Sequence, residues 1–579
     1  MLFDGHFDQI WVADFEYQCL DGGFPKVHCM VARELTSGKI IRLFEDELLV
    51  IKQAPFGTGS RSLFIAFYAP AEFSCFLELG WEFPSNTVDL YAEYRLLRCG
   101  MEGEKAFSLV AALRHFNLDR FIPEEKHQWR ELAIRGGPYS KEERKGLLDY
   151  CQEDVDATCS LAETMLNGIS LPHALIRGRY MQSIALMERN GVPMDYKLLN
   201  EVISNWTSLK RGLIEKIDTQ RIYRQGSFSE QRFEQYLRKV GIPWPRLDSG
   251  RLELTDEVFR QKSKTHPKAI APYHELRTSL SRLKLAGLSI GPDGRNRAML
   301  SPFRSDTGRN QPSTSKFIFG PSCWIRGFIK PGPGRFIAYI DYSQQELGIA
   351  AALSEDERMK EAYRSGDPYL RFAQMAGAVP ENATKQSHPE ERSAYKVCML
   401  AVQYGMGAES LAIQLGKTRH DANKLLRAHK DTFPTYWGWN DRILNQGFGN
   451  GSLETIFRWR RAVQADAKPA SVGNFPVQGN GAEMLRLAII KMHEMDIQVA
   501  APIHDAVLIE GSIEQADTTV QLAQSCMREA SKMVLSGFEL DSEAEVVAFP
   551  NRYMDKERGR GFWNTVMELT DRKDCQYEL

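Results

Sequence analysis

Residues 340–347 read Ile-Asp-Tyr-Ser-Gln-Gln-Glu-Leu and come directly after the apolar, strand-like stretch Phe336–Ile340. A second aspartate, Asp505, lies in Ala-Pro-Ile-His-Asp-Ala-Val-Leu-Ile-Glu (residues 501–510), where a polar pair between two apolar runs indicates a hairpin turn. A carboxylate at the end of one strand and another in a tight hairpin can together hold two divalent ions about 3.5–4 Å apart. The two aspartates therefore predict a phosphoryl-transfer site.

A helical segment with cationic residues lies between the two aspartates. It begins at residues 388–391 (His-Pro-Glu-Glu), with proline and acids in the first turn. Arg392, Lys396 and Tyr404 follow at four- and eight-residue spacing, which places them roughly along one side of a helix. Cations there can neutralise a polyphosphate leaving group. Each feature alone is common in turns and solvated helix faces, so the prediction depends on their order and combination.

These motifs, with Tyr-Ser-Gln-x-Glu-Leu after the first aspartate, resemble those of DNA polymerase family A over most of residues 300–550. The resemblance implies a right-hand polymerase with thumb, palm and fingers, acting on primer-template DNA with dNTPs. It also implies two Mg²⁺ ions per active site, with Mn²⁺ as an alternative ion. Their ligands would be Asp341, Asp505 and the backbone carbonyl of Tyr342.

The resemblance assigns substrate contacts as well. Arg392 and Lys396 would grip the incoming triphosphate, and Lys396 would protonate the pyrophosphate leaving group as a general acid. Tyr404 would stack near the template base, and Glu346 would stand against the sugar 2′ position and favour deoxynucleotides. Further residues of the family pattern would contact the substrate, including the primer terminus and the minor groove. They are Gln344, Arg309, Arg326, Gln478 and His504.

Three positions depart from the family pattern. Gly348 stands where the family usually has arginine, and Ala506 stands where an acid usually follows His-Asp. Leu400 occupies the position, four residues after Lys396, where an aromatic residue is expected. None of the three removes a principal metal ligand, but Leu400 bears on sugar discrimination.

A second group of acids lies near the start of the chain. Asp14 and Glu16 are predicted to end a strand, and residues two apart in a strand share a face. Tyr150 and Asp154, four apart, share a helix face. Together they resemble the proofreading 3′→5′ exonucleases of the ribonuclease H-like fold. The resemblance implies that Asp14, Glu16 and Asp154 hold two metal ions and that Tyr150 orients the attacking water.

The fourth acid of the exonuclease pattern has two candidate alignments. Glu72, at the predicted start of a helix, has the family's register to Leu79-Gly80 and to Asp89. Ser74 is the competing alignment and would leave the site one ligand short. We favour Glu72, whose additional methylene predicts a looser metal site and slower proofreading.

The length and the pattern of apolar residues predict a multidomain chain that combines α/β and α+β parts. An exonuclease domain with a mixed sheet is expected over residues 1–165, with strands at Ile10–Phe15, Val27–Ala32 and Leu63–Phe67. Helices are expected at Ala71–Leu79, Lys141–Leu161, Tyr196–Thr219 and Glu230–Val240. The other expected domains are a thumb with connecting helices (166–300), a strand-rich first part of the palm (301–356), helical fingers (357–437) and a second part of the palm (438–579).

The formal charge of −2 carries no bulk signature of nucleic-acid binding, so any DNA affinity must come from local basic surface. Candidates are the runs 458–461 (Arg-Trp-Arg-Arg) and 556–560. The ten cysteines include no Cys-x-x-Cys pair, which indicates neither a zinc site nor a disulfide framework. No signal peptide or membrane span is recognisable, so we expect a cytoplasmic protein of a bacterium or a phage-infected host.

Only 13 residues precede Asp14, which leaves no room for a 5′-nuclease domain and suggests a phage-type family member. A processivity or replisome protein could be a further partner. Other functions also deserve weight: an exonuclease with a decayed polymerase half, a non-catalytic DNA-binding protein, or a single-subunit RNA polymerase. Asp341, Lys396, Tyr404 and Asp505 argue against decay, the paired carboxylates argue against an architectural role, and Glu346 and the exonuclease-like domain argue against an RNA polymerase.

Overall fold

The computed structural model describes residues 5–103, 106–119, 126–282, 285–320 and 322–570. The N-terminal part is a mixed five-stranded sheet in the order β3-β2-β1-β4-β5, with β1 parallel to β4 and antiparallel to β2. Its strands are β1 (Gln9–Cys19), β2 (Pro25–Glu34), β3 (Ile40–Phe44), β4 (Ser62–Ala66) and β5 (Thr87–Asp89). Its helices are α1 (Glu45–Leu48), α2 (Pro70–Leu79), α3 (Leu90–Arg98), α4 (Leu109–His115), α5 (Lys126–Arg135) and α6 (Lys141–Met165).

Strand β1 is the central strand of this sheet, and its side chains are therefore buried on both faces. Trp11 and Phe15 belong to one core cluster, and Ile10 and Val12 belong to the other. The predicted mixed sheet, its strands and the helices at α2 and α6 are confirmed. The expectation that β1 ends at Asp14–Glu16 is wrong, because pairing with β2 continues to Cys19 after a register shift between Glu16 and Tyr17.

A largely helical stretch follows the N-terminal sheet. Its helices are α7 (Leu171–Asn190), α8 (Tyr196–Ser204), α9 (Trp206–Ile217), α10 (Glu230–Val240), α11 (Asp256–Thr265) and α12 (Pro267–Arg282), with short strands β6 (Val192–Pro193), β7 (Tyr223–Arg224), β8 (Ser227–Phe228) and β9 (Arg295–Asn296). The single helix expected over Tyr196–Thr219 is divided in two at Asn205. A separate small core around Phe233 and Phe259 lies within this stretch.

The C-terminal part is organised on a four-stranded antiparallel sheet in the order β13-β14-β10-β15. Its strands are β10 (Arg335–Tyr342), β13 (Gln498–Ile503), β14 (Ala506–Ser512) and β15 (Ser542–Ala548), and a separate hairpin comprises β11 (Ser452–Glu454) and β12 (Arg460–Ala462). The helices are α13 (Gln345–Ser354), α14 (Glu357–Arg364), α15 (Pro368–Met375), α16 (Pro389–Gln403), α17 (Ala408–Leu415), α18 (Arg419–Thr432), α19 (Pro434–Asn450), α20 (Pro469–Glu494), α21 (Ala516–Val534) and α22 (Arg560–Leu569).

The strand-rich character expected for residues 301–356 is wrong. In the described part of this range, β10 is the one strand of more than two residues, and a 3₁₀ helix occupies Cys323–Phe328. Aromatic and β-branched residues of this range, among them Phe317, Ile318 and Trp324, are buried in irregular and 3₁₀ segments. Tertiary packing therefore overrides their strand propensity.

Helices α13–α20 lie in the chain between β10 and β13, two strands of one sheet. The predicted multidomain architecture of mixed α/β character is confirmed, with the helical insertion between the two strand regions that carry the aspartates. Among the described residues, we find no helix that combines the length and the apolar character needed to cross a bilayer.

Asp89 connects β5 to the helices on either side of it in the chain. It is buried, and its carboxylate accepts hydrogen bonds from the backbone N–H of Ala69 (2.5 Å) and from that of Ala92 (2.7 Å) at the start of α3. Asp89→Ala removes a helix cap and leaves buried donors unpaired, so we expect a loss of about 2–4 kcal/mol in the free energy of unfolding.

Urea denaturation of the wild-type and Asp89→Ala proteins measures this loss of stability. Asp8→Ala is the matched control, because Asp8 is an exposed aspartate of the same region that pairs with Arg61. If the midpoints of Asp89→Ala and Asp8→Ala coincide, the capping role is refuted.

Candidate active sites

Asp341 and Asp505 lie at the same end of neighbouring strands. Asp341 is the penultimate residue of β10, and Asp505 lies in the two-residue turn between β13 and β14. Asp341 is directly opposite Ala506 in the β10–β14 ladder, and Ala506 follows Asp505 in the chain. His504, the other turn residue, has φ +58°. The predicted hairpin is confirmed, and it brings the second aspartate beside the first.

The two carboxylates form a half-buried, strongly interacting pair. Burial and the charge of Asp505 raise the pKa of Asp341 to about 7. Burial also raises the pKa of Asp505, although the nearby Arg309 opposes this shift. The Oδ1 atom of Asp341 is buried and has no hydrogen-bond partner. Two crowded carboxylates, one with an unused oxygen, fit the hard oxygen ligands that Mg²⁺ prefers.

A third acid, Glu543, was missed in the sequence. It lies on β15 directly opposite Asp341, and its negative charge further raises the pKa of Asp341. No short motif marks Glu543, because its position depends on a strand pairing about 200 residues away along the chain.

Glu346 belongs to a hydrogen-bonded group at the start of α13. Its Oε1 atom accepts from the Tyr404 hydroxyl at 2.8 Å and from Gln478 Nε2 at 2.5 Å. Gln344 caps the same helix with φ +44°. The structure therefore brings three predicted substrate residues, Glu346, Tyr404 and Gln478, into direct contact.

Arg392 and Lys396 lie on α16, as predicted, and both flank one aromatic ring. Arg392 Cζ and Lys396 Nζ each lie 5.6 Å from the centroid of the Tyr369 ring. Arg392 Nε also donates to Asp367 Oδ2 at 2.5 Å. Tyr404 caps the C-terminus of α16, one residue after Gln403, and its backbone N–H donates to the Leu400 carbonyl at 3.3 Å.

Asp367 and Tyr369 were not recognised in the sequence as part of this site. A signal was present, because Asp367 followed by Pro368 is typical of a helix start. The carboxylate of Asp367, at the start of α15, also accepts from Arg392 and so links this helix end to α16.

The remaining predicted substrate residues are distributed around the aspartates. Arg309 interacts electrostatically with Asp505 and donates to Gln345 Oε1 at 3.5 Å. Burial lowers the pKa of His504. Arg326 is largely buried and pairs with Asp555 at 3.1 Å, with its guanidinium 5.4 Å from the Phe319 ring centroid.

Two of the three family departures have a local explanation in packing. A Cβ atom on Gly348 would lie 2.4 Å from Leu540 Cδ2 and 3.0 Å from Tyr363, so a larger side chain cannot fit there without rearrangement. Ala506 is completely buried in the sheet. Leu400 is half-buried on α16, and nothing in the structure explains its replacement of an aromatic residue.

The N-terminal acids form a second cluster. Asp14, Glu16 and Asp154 each offer a carboxylate oxygen, and these oxygens all lie within 4.8 Å of one another. Asp14 and Glu16 continue the face of β1 that carries Ile10 and Val12, and α6 packs against that face. The geometry fits one or more divalent cations.

Glu72 lies beside this cluster and is buried in the first turn of α2. Burial and the charges of Asp14 and Glu16 raise its pKa well above the usual range, while it accepts a hydrogen bond from the backbone N–H of Phe15. Its Oε2 atom is buried without a partner. Ser74, by contrast, donates to the Ala71 carbonyl at 2.6 Å within its own helix. The structure brings Glu72 to the acids and gives Ser74 a local partner.

Tyr150 faces the same acids. Burial and the charges of Asp154, Glu16 and Asp14 raise the pKa of its phenol, so the hydroxyl keeps its proton at neutral pH. The thiol of Cys151 donates to the Asp14 carbonyl at 3.2 Å and reaches its carboxylate at 3.5 Å. Cys151 was not recognised in the sequence, and no local signal could have identified it.

The C-terminal geometry agrees with sequence comparisons. The sequence model of DNA polymerase family A matches residues 321–546. DNA polymerase I of Aquifex aeolicus (strain VF5) is 24% identical over 392 residues, which cover 65% of this chain and 67% of that protein. The thermostable DNA polymerase I of Thermus aquaticus is 31% identical over 208 residues. Those residues cover 34% of this chain and only 25% of the Thermus protein.

A solved structure has a similar fold over nearly the whole chain. It is described as the POL domain of Pol1 from M. smegmatis in complex with DNA primer-template and dNTP. The similarity has a TM-score of 0.70 with 18% sequence identity, and it covers 93% of this chain and 94% of that chain. The segment 321–546, which contains both aspartates of the C-terminal site, thus matches DNA polymerase family A.

Proposed function

We propose that this protein is a template-directed DNA polymerase that extends a primer 3′-hydroxyl with dNTPs. The observation that carries the proposal is the convergence of Asp341 and Asp505 at one end of the C-terminal sheet, with a buried and unused oxygen on Asp341. This donor set suits two-metal phosphoryl transfer. The solved structure of similar fold, with its primer-template and dNTP, supports the choice of substrate class.

In this proposal Asp341, Asp505 and the Tyr342 carbonyl hold Mg²⁺. When bound, Mg²⁺ supplies positive charge that favours ionisation of the primer hydroxyl and stabilises the phosphates. Arg392 and Lys396 bind the triphosphate, and Lys396 gives a proton to the departing pyrophosphate. Arg309, His504 and Gln478 position the primer end and the nascent pair.

A single-nucleotide incorporation assay tests this proposal. Four templates that differ in the base opposite the incoming nucleotide are each offered the four dNTPs and the four NTPs separately. We expect each template to select its Watson–Crick partner. Incorporation that ignores the template base would refute template direction, and exclusive use of ribonucleotides would indicate an RNA polymerase.

Glu346 is proposed to exclude ribonucleotides by its bulk. Glu346→Ala should raise ribonucleotide incorporation relative to deoxynucleotide incorporation by at least about tenfold, or ~1.4 kcal/mol. The ratio of kcat/KM for the two sugars measures this change.

Glu346→Gln is the matched control, because it keeps the size of the side chain and an oxygen that can accept from Tyr404 and Gln478. It should keep the discrimination. If Glu346→Ala and wild type use ribonucleotides equally, another group sets the sugar preference.

We further propose that the N-terminal cluster is a 3′→5′ exonuclease that proofreads. The proposal is supported by the convergence of Asp14, Glu16 and Asp154 and by the buried carboxylate of Glu72 beside them. These acids would hold Mg²⁺, which supplies the means to ionise an attacking water. Tyr150, protonated at neutral pH, would orient that water.

The domain roles are part of the same proposal. Residues 1–165 would form the exonuclease domain and residues 166–300 the thumb with its connecting helices. Residues 301–356 and 438–579 would form the palm, and residues 357–437 the fingers. Helices α14–α18, which lie within residues 357–437, stand in the chain between two strands of one sheet, and this supports the division.

A further inference from the structure

The peptide bond between Gly308 and Arg309, at the end of the loop 303–309, is held at both of its polar atoms. Its oxygen accepts a hydrogen bond from Arg486 Nη1 at 2.7 Å, and its N–H donates to the Ser305 hydroxyl at 2.7 Å. Because a peptide unit is planar, fixing both atoms fixes the direction in which the next side chain leaves the backbone. Arg486 therefore helps to set the direction of the Arg309 side chain.

Arg486 is itself buried and is oriented by an acid of the same helix, α20. Its Nη2 atom lies 2.8 Å from Glu483 Oε2, and each of the two side chains is only 4% exposed. The Arg486 guanidinium also lies 4.9 Å from the Phe303 ring centroid. The rigid fork of an arginine thus presents one nitrogen to the acid and another to the loop carbonyl.

The acid is anchored in turn to the hairpin β11–β12. Glu483 Oε1 accepts from the Thr455 hydroxyl at 2.8 Å, and Thr455 Oγ1 accepts from the backbone N–H of Trp459 at 3.0 Å. Trp459 Nε1 then donates to the Asp306 carbonyl at 3.0 Å. The loop 303–309 is therefore fixed from two sides, by α20 and by the hairpin.

The space around Gly308 is closely filled by these two anchors. Gly308 has φ +74°, and a Cβ atom on it would lie 3.2 Å from Trp459 Cε2 and 3.4 Å from Arg486 Nη1. The Trp459 ring stacks on Phe303, with the ring centroids 5.2 Å apart. Because buried groups packed this closely transmit displacements, a change at the arginine should move the loop.

Arg309 is the point at which this arrangement meets the polymerase site. It interacts electrostatically with Asp505 and donates to Gln345 Oε1 at 3.5 Å. Its Nε is buried without a partner, so part of its hydrogen-bonding capacity is available to a ligand. Arg309 and Arg486 both line a cavity of about 710 Å³ that also reaches His504. The loop thus carries its one arginine contact with Asp505 to the edge of a cavity large enough for a substrate.

We propose that Arg486 is a positioning residue for DNA synthesis that acts through Arg309, an inference that rests on the proposed function. Its guanidinium is engaged by Glu483 and by the Gly308 carbonyl, so its effect on the reaction passes through the backbone of the loop. Glu483 supports the same contact by holding the guanidinium in place.

A double-mutant cycle tests whether Arg486 acts through Arg309. Single-turnover extension rates and Kd for primer-template are measured for wild type, Arg486→Lys, Arg309→Ala and the double variant. Lysine keeps a charge for Glu483 but lacks the fork that reaches the Gly308 carbonyl at the same time. We expect Arg486→Lys to extend about tenfold more slowly with an unchanged Kd, since small displacements of positioning groups cost this much or more.

The double variant distinguishes an indirect effect from a direct one. If Arg486 acts through Arg309, the double variant should extend within about twofold of the rate of Arg309→Ala, because coupled residues are not additive. Losses that multiply, or a weaker Kd for primer-template in Arg486→Lys, would show that Arg486 touches the DNA or supports the fold in general. Either result would overturn the inference.

Arg177→Lys is the matched control, because Arg177 is equally buried and pairs with a buried acid, Glu93, at 2.6 Å. It makes the same chemical change away from the loop 303–309 and should extend primers at the wild-type rate. Glu483→Gln is a second test variant should Arg486→Lys fail to fold, as judged by its melting temperature. It should slow extension, and the slowing should disappear in the Arg309→Ala background.

Amide hydrogen exchange of the loop 303–309 separates this inference from the proposed function. The loop amides should exchange at least about threefold faster in Arg486→Lys than in wild type, and at the wild-type rate in Arg177→Lys. If wild type extends primers and Arg486→Lys extends them equally fast, the inference is wrong while the proposed function stands. If wild type extends no primer, the proposed function fails, and the exchange rates still decide whether Arg486 holds the loop.

Discussion

Asp505→Asn is expected to reduce primer extension by at least about a hundredfold, or ~2.7 kcal/mol of barrier, while DNA binding changes little. The substitution removes a charge from the half-buried carboxylate pair but keeps the size of the side chain. Because Asp341 and Asp505 interact strongly, loss of one charge should weaken Mg²⁺ binding at the pair. Rapid-quench measurement of kcat, with Kd for primer-template measured in parallel, separates the two effects.

Asp517→Asn makes the same chemical change at an exposed aspartate of α21, and it should leave extension at the wild-type rate. Extension by Asp505→Asn within about tenfold of wild type, ~1.4 kcal/mol, would contradict the assignment. Equal loss of DNA binding and extension would indicate a structural role for the turn.

Asp14→Ala is expected to reduce Mg²⁺-dependent 3′→5′ degradation of single-stranded DNA by at least about a hundredfold, ~2.7 kcal/mol. Glu72→Ala should also reduce it strongly, because the buried carboxylate lies beside Asp14 and Glu16. The loss should fall on the chemical step, since two-metal hydrolysis depends on the full set of carboxylates. Gel analysis of a labelled single strand under single-turnover conditions measures the rate.

Ser74→Ala is the matched control for Glu72→Ala, since the two residues lie two apart on α2 and the Ser74 hydroxyl bonds only to its own helix in the contacts described. It should degrade single strands at nearly the wild-type rate. Primer extension should survive all three substitutions, because the two sites share no ligand. Wild-type degradation by Glu72→Ala would identify Glu72 as a structural acid with no part in the reaction.

The parts of the fold that sequence predicted well are those set by local patterns. Apolar stretches identified β1, β2 and β4, and the proline and acids of its first turn identified the start of α16. The polar pair between two apolar runs identified the turn that carries Asp505. Residues 301–334 were misread, because their apolar residues are buried in irregular segments and not in a sheet. Burial depends on the whole fold, and strand propensity carries no information about it.

The site residues that sequence could predict are likewise those set by local spacing, and the others depend on contacts between distant segments. Asp14, Glu16 and Asp154 could be paired from spacing within one strand and one helix, and the structure brings them together. Glu543 reaches Asp341 only through a strand pairing that no local window contains. The aromatic ring of Tyr369 between Arg392 and Lys396 likewise depends on the packing of α15 on α16. Residue spacing along the chain cannot predict such contacts between distant segments.

The central claim is that the Asp341–Asp505 pair synthesises DNA on a template. The most direct measurement is primer extension by the Asp14→Ala protein, in which degradation cannot mask synthesis, with four dNTPs and with Mg²⁺ or a chelator. We expect full-length extension with Mg²⁺, none with the chelator, and none when Asp341→Asn is added. A primer that stays unextended with Mg²⁺, while the wild-type protein still digests single strands, would contradict it and identify an exonuclease whose polymerase half has decayed.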